Sequence, residues 1–346
     1  MKTRLGMAAL ALAAWAGGAG QVRAQATDLT GAGATFPYPI YQRWFYDYAQ
    51  KTGVKINYQS IGSGGGIRQF SEQTVDFGAS DGPMSDAEIA NARGGPVLHI
   101  PTVLGAVAVT YNVPGVASGL KLTGDVVSDI FLGKITRWND PRIARLNPGV
   151  KLPATDVLVV HRSDGSGTTY IFTDYLSAVS PAWKAGPGHG KEVQWPVGLG
   201  GKGNEGVAGQ VKQTPGSVGY VELAYAKQNH LPYALLRNAA GKFVAPSIEG
   251  ATAAAAGVAK GLPVGTDFRI SIVNAPGAGA YPISSFTWIL IYEHQRDPAK
   301  SARLLDFLRW AIHDGQKEVA ALDYAPLPAN IVKMLDQRLR AVVAAR

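Results

Sequence analysis

The 346-residue chain has no cysteine, which excludes disulfides, thiolate metal sites and cysteine nucleophiles together. The same absence removes the lipid-modified N-terminal cysteine that would tether an exported bacterial protein to a membrane. Beyond the first 26 residues no apolar stretch reaches membrane-spanning length without a charge or a proline. Lysine and arginine are scattered, with no run of four and no basic stripe interleaved with aromatics. Nucleic-acid binding is therefore not expected. The six histidines (His99, His161, His189, His230, His294 and His313) show no metal-ligand spacing, so neither a metal nor a cofactor is expected.

What is present begins with Lys2 and Arg4, an apolar run from Leu5 to Ala19, and small residues at Ala24 and Ala26. This reads as a secretory signal peptide over 1–24, cleaved after Ala24 or Ala26. The run is too short for a transmembrane helix, which needs about 20 apolar residues. The remaining chain is expected to be exported, periplasmic, soluble and not lipid-anchored. Without Lys2, Arg4 and Arg23 the formal charge falls from +8 to +5, a mild field that draws anions weakly and is screened by salt. A secreted chain with no covalent staples relies on its core, and this length favours two domains over one.

Strand-like and helix-like segments alternate, the pattern of an α/β protein with mainly parallel sheets. Helices are predicted over 38–51, 67–73, 86–92, 125–132, 167–176, 205–213, 251–259 and 299–312, with strands at 54–58, 75–79, 157–160 and 283–292. Val97–Ile100 and Ala106–Tyr111 read as two buried strands broken at Pro101, a break that suits a crossing between domains. The Gly-, Pro- and Trp-rich stretch from Ser180 to Asn204 reads as loop.

Three short loops rich in Gly, Ser and Thr run directly into helical periodicity: Gly31–Phe36, Gly62–Gly66 and Asp164–Thr168. The first turn of a helix carries unpartnered N–H groups and about half a positive charge, a socket for a tetrahedral oxyanion. Three such loops suggest one site assembled from several elements, with inorganic phosphate as the guest. Thr35 either caps its own helix or turns to a ligand, and Ser63, ahead of three glycines, poses the same choice. Arg162 stands at the end of an apolar strand, where ligands collect in open α/β sheets. Its planar guanidinium suits two oxygens of such an anion, and Asp164 either orients it or forms a purely structural pair with it. Asp81, before Gly82-Pro83, is either a turn residue or a carboxylate that accepts the remaining hydrogen of phosphate. Sulfate lacks that hydrogen and would meet only repulsion.

Other motifs fail their tests. Gly200–Gly203 has glycine after Lys202 where a P-loop needs Ser or Thr. Gly165-Ser166-Gly167 lacks nucleophile-elbow spacing, and His161, Asp164 and Ser166 are too close along the chain to converge as a triad. A phosphate-ester hydrolase using Ser166 or a metal-bound water thus has no base or metal cluster behind it, and no enzymatic activity is expected.

The chain resembles the periplasmic phosphate-binding proteins that serve high-affinity phosphate-specific ABC transporters. The resemblance runs through LTGAGATFP (from Leu29), NYQSIGSGGGI (from Asn57), TVDFGASD (from Thr74), DIFLGKITRWND (from Asp129) and RSDGSGTT (from Arg162), then through WPVGLGGKGNEG (from Trp195), PGSVGYVE (from Pro215) and ALDYAPLP (from Ala321). It implies a two-domain, Venus-flytrap, type II-like binding protein with two inter-domain crossovers. Residues 27–102 with 281–346 would form domain I and 103–280 domain II. The implied phosphate ligands are Thr35, Phe36, Ser63, Asp81, Arg162, Ser166, Gly167 and Thr168, with Asp164 as the partner of the arginine. It implies membrane permease subunits as partners and a monomeric protein. It gives Lys202 and Asn204 no ligand role, which leaves them as loop.

Overall fold

The computed structural model describes residues 28–344 except 260 and 264; the signal peptide expected over 1–24 lies outside them. The chain opens as β1 (Leu29–Gly33), α1 (Tyr38–Thr52), β2 (Ile56–Ser60), α2 (Ser63–Ser71) and β3 (Phe77–Ser80). After a short helix at Asp86–Ala90, closed by a Ser85/Glu88 capping box, it enters the long strand β4 (Val97–Asn112). The middle of the chain supplies β5 (Leu158–Arg162), α3 (Gly167–Val179), β6 (Leu199–Gly201), α4 (Gly203–Gln213) and β7 (Ser217–Glu222). The chain returns as β8 (Ser284–Tyr292), followed by helices Pro298–Ile312 and Ala329–Arg340.

Eight strands form one hydrogen-bonded succession, β2-β1-β3-β8-β4-β7-β5-β6. At 16 residues β4 is far longer than the usual strand of about 5 or 6, because it serves both halves. Its first part, Val97–Ala106, pairs antiparallel with β8, and its second, Val107–Asn112, pairs antiparallel with β7. Strand directions follow from these pairings. β1, β2 and β3 are mutually parallel and β8 runs against both β3 and β4, so the first set runs in the direction of β4. β7 opposes β4, and β5 and β6 run parallel to β7. Both parallel sets therefore point their carboxyl ends at the middle of β4, the edge on which α/β proteins build their sites.

Pro101 does not break β4, contrary to the sequence reading. The register shifts between Thr287 and Trp288, which pair with Val103 and Pro101, so Thr102 is the extra residue of a β-bulge, where a missing N–H is tolerated. Behind the first parallel set, α1 lays Trp44, Phe45 and Tyr48 against Phe307 and Trp310 of the helix Pro298–Ile312, and the Trp44 indole donates to the Gly315 carbonyl at 2.9 Å. The two ends of the described chain are thereby packed on one half of the sheet.

Candidate functional site

Each loop leaving a carboxyl end delivers one part of a buried polar cluster. Thr35 and Phe36 follow β1, Ser63 follows β2 and Asp81 follows β3. Arg162 ends β5, with Asp164 and Ser166–Thr168 just beyond it. Thr35, Phe36, Ser63, Asp81, Arg162, Ser166 and Thr168 are each at most 4 % exposed, too low for so many polar groups unless they meet one another or a shared guest.

The structure brings all the expected residues together. Thr35 does not cap α1, whose N-cap is Pro37; its hydroxyl instead accepts from the backbone N–H of Asn204 (3.2 Å) and the Asn204 side-chain amide (2.8 Å). Phe36 is buried, its carbonyl accepts from the Tyr324 hydroxyl at 2.6 Å, and its N–H has no partner among the described residues. Ser63 is the first residue of α2, so glycines 64 to 66 lie in a helical turn and not in the loop that sequence suggested. The Ser63 hydroxyl accepts from the Asp81 N–H (3.2 Å) and from the Gly167 N–H (3.0 Å). Ser166 is the N-cap of α3 and accepts from the Thr169 N–H at 3.0 Å.

Arg162 is held by Asp164 in a two-point pair, Nε to Oδ1 at 2.7 Å and Nη2 to Oδ2 at 2.5 Å, while Nη1 reaches the Thr168 hydroxyl at 3.4 Å. Asp164 also accepts from the Gly203 N–H at 3.0 Å. Burial pushes its carboxyl up, but the hydrogen bonds and charge of Arg162 and the Gly203 N–H outweigh burial and hold it below its ordinary value. Asp81 goes the other way. Its burial dominates and lifts the carboxyl from 3.8 to about 7, against the pull of the Thr287 hydroxyl, the Arg162 charge and the Ser63 hydroxyl. The Thr287 hydroxyl, beside the bulge in β4, donates to Asp81 Oδ1 at 2.8 Å.

The two sets of loops touch directly. Gly64 N–H donates to the Gly165 carbonyl at 2.8 Å, and a Cβ on Gly167 would lie 2.6 Å from both the Asp81 nitrogen and the Ser63 hydroxyl oxygen. Glycine at 167 is what lets α3 begin against the opposite half. Outside this cluster, Lys191 Nζ donates to Glu88 Oε2 and to the Pro83 carbonyl, both at 2.9 Å. Arg269 Nη1 donates to Asp86 Oδ1 at 2.7 Å and to the Met84 carbonyl at 3.1 Å.

One residue that sequence reasoning assigned to a loop belongs to the cluster. Asn204 lies in the first turn of α4, is fully buried, and bridges Thr35 and Thr168 through its side-chain amide, at 2.8 and 3.1 Å. The glycines around it masked the helix start. Lys202, two residues before it, is exposed.

The Ser166 hydroxyl oxygen is engaged as a helix cap, and His161 stacks on Trp195 with ring centroids 4.8 Å apart and meets the Arg162 carbonyl at 2.9 Å. Among the described residues there is no group of three or more His, Asp or Glu placed to hold a metal, and no helix long and apolar enough to cross a membrane.

A family model described as the PBP superfamily domain matches residues 15–314. The chain belongs to that superfamily. It is 49% identical over 313 residues to a protein of Xylella fastidiosa named phosphate-binding protein PstS, covering 90% of this chain and 85% of that protein. It is 47% identical to a protein of the same name from Pasteurella multocida, covering 92% of each. The solved phosphate-binding protein of Stenotrophomonas maltophilia shares the fold, with a TM-score of 0.71 at 21% identity over 90% of this chain and 94% of that one. The architecture is that of a two-domain periplasmic binding protein, and the PBP relatives named above are binding proteins.

Proposed function

We propose that this PBP-superfamily protein captures inorganic phosphate outside the cytoplasm, in the cleft between its two halves, and delivers it to the membrane permease of an ABC transporter. The observation that carries the reading is the polarity of the buried cluster. The hydroxyls of Ser63 and Thr168 each accept two hydrogen bonds, and Ser166 accepts one from its own helix. A hydroxyl has two lone pairs and one proton, so oxygens already occupied as acceptors leave the proton to give. Those protons, the Phe36 N–H and the Arg162 guanidinium make a shell of donors. In this reading the Asp81 carboxyl, whose own N–H shares the Ser63 hydroxyl with Gly167, supplies the acceptor, while Asp164 is taken up by Arg162. A tetrahedral anion that keeps one hydrogen matches that inventory.

The PstS names of the relatives support both ligand and transporter context. In this reading Thr35, Phe36, Ser63, Asp81, Arg162, Ser166, Gly167 and Thr168 contact phosphate, and Asp164 orients the arginine. Residues 27–102 with 281–346 move as one domain and 103–280 as the other. The protein is a periplasmic monomer without enzymatic activity. Charge-assisted hydrogen bonds contribute about 1.5 to 3 kcal/mol each, against association costs of roughly 4 to 15 kcal/mol, so several of them support micromolar or tighter binding, about −8 kcal/mol or beyond. Titration calorimetry with inorganic phosphate is expected to show one saturable site in that range. No detectable heat or competition at millimolar phosphate would overturn the reading.

A further inference from the structure

Asn204 accounts for all of its hydrogen-bonding groups in a way that fixes its orientation. Its Oδ1 accepts from the backbone N–H of Glu222 at 2.9 Å, and a backbone N–H can only donate. The atom facing it must therefore be the oxygen, which settles the amide orientation independently of how the two ends of an asparagine are told apart. The other end is then an NH2 with two hydrogens and no acceptor capacity. One hydrogen goes to the Thr35 hydroxyl at 2.8 Å and the other to the Thr168 hydroxyl at 3.1 Å, while the Asn204 backbone N–H gives Thr35 a second donor at 3.2 Å.

The consequence falls on the two threonines. Thr35 Oγ1 receives two hydrogen bonds from Asn204 alone. Thr168 Oγ1 receives one from Asn204 and one from Arg162 Nη1 at 3.4 Å. With both lone pairs of each oxygen occupied, each hydroxyl proton is left over, and in so buried a cluster it needs an acceptor. Thr35 follows β1 and Thr168 lies in the first turn of α3, so one amide sets hydroxyls in both halves of the molecule.

We infer that Asn204 is a positioning residue that sets the donor polarity of the phosphate shell. It forces Thr35 and Thr168 to present protons, and so holds the site against anions that would need further acceptors. The inference rests on the phosphate reading above. Asn204 needs no contact with phosphate to act; its effect passes through the two hydroxyls.

That dependence gives the test. Phosphate affinity is measured by calorimetry for the unaltered protein, Asn204→Ala, the pair Thr35→Val with Thr168→Val, and the triple variant, with thermal melts to confirm folding. Asn204→Ala is expected to weaken binding by about 10- to 100-fold, the scale of a hydrogen bond to a charged group. In the background lacking both hydroxyls, the same change is expected to cost less than about 3-fold, because the groups it acts through are gone. An equal loss in both backgrounds would overturn the inference and leave phosphate capture standing. Absence of phosphate binding by the unaltered protein would overturn both. Should Asn204→Ala not fold, Asn204→Asp keeps the size and the acceptor for Glu222 while removing the amide donors. Its added charge is present in both backgrounds and cancels from the comparison, so a larger loss in the hydroxyl-bearing background supports the inference and an equal loss refutes it.

Discussion

The loops after β1, β2 and β3 bring two hydroxyls, a backbone N–H and the carboxyl of Asp81 to the cluster, whereas those after β5 and β6 bring Arg162, the start of α3 and Asn204. The second half alone carries a guanidinium and a helix N-terminus on one strand end, features that suit an anion. The first half brings no cation to the cluster, and the carboxyl that it brings, Asp81, opposes a negative guest when ionised. The proposed function thus assigns attraction and discrimination to opposite halves, which the long strand β4 joins. On the proposed function, an anion that satisfies Arg162 also meets Asp81.

The largest expected effect strikes the attracting half. Arg162→Ala removes the cation and leaves the partly buried Asp164 with the Gly203 N–H alone. Losing the guanidinium's charge-assisted hydrogen bonds to the anion, about 1.5 to 3 kcal/mol each, is expected to lower phosphate affinity by roughly 100-fold or more, while calorimetric melting still shows a cooperative fold. Near-normal affinity in that variant would remove the asymmetry on which the comparison stands.

Next comes the discriminating half, probed through stability without ligand. The carboxyl of Asp81 is lifted from 3.8 to about 7, chiefly by burial. In the window between these values the folded protein holds a proton that the unfolded chain has released, so stability is lost as pH rises from about 4 to about 7. Asp81→Asn is neutral throughout. Its melting temperature relative to the unaltered protein is expected to rise from pH 5 to pH 8; a difference constant with pH would show that Asp81 is ionised across that range.

The smallest effect belongs to the contacts outside the cluster. Lys191 and Glu88 are partly solvent-exposed, at 14 % and 33 % of their side chains, and pairs of this kind contribute about 0 to 1 kcal/mol. Lys191→Met is expected to change phosphate affinity by no more than about 5-fold, less at high salt. A loss comparable to that of Arg162→Ala would mean that closure, and not the anion shell, dominates binding.

Much of this arrangement was legible in the sequence because its parts are local. Ser166 ahead of α3, the Arg162–Asp164 spacing and the capping box at Ser85 and Glu88 can each be read from neighbouring residues. What escaped was set by distant partners. Glycine's poor helix propensity hid the start of α2, yet Gly66 packs so tightly against β1 that a Cβ there would lie 2.3 Å from the Gly33 Cα, and only glycine fits. Pro101 suggested a break, but the bulge opposite β8 absorbs it. β7 was not recognised, and Asn204 sat among glycines that read as loop, its role depending on Thr35, 169 residues away.

The most direct measurement is the ratio of phosphate to sulfate affinity between pH 8 and pH 5.5. At pH 8 the ionised Asp81 accepts the hydrogen of phosphate and repels sulfate, so a ratio of at least about 100 is expected. Below pH 7 the carboxyl gains its own proton and can donate to sulfate, so the ratio is expected to fall steadily. A ratio near one at pH 8, or one that does not change with pH, would contradict the account.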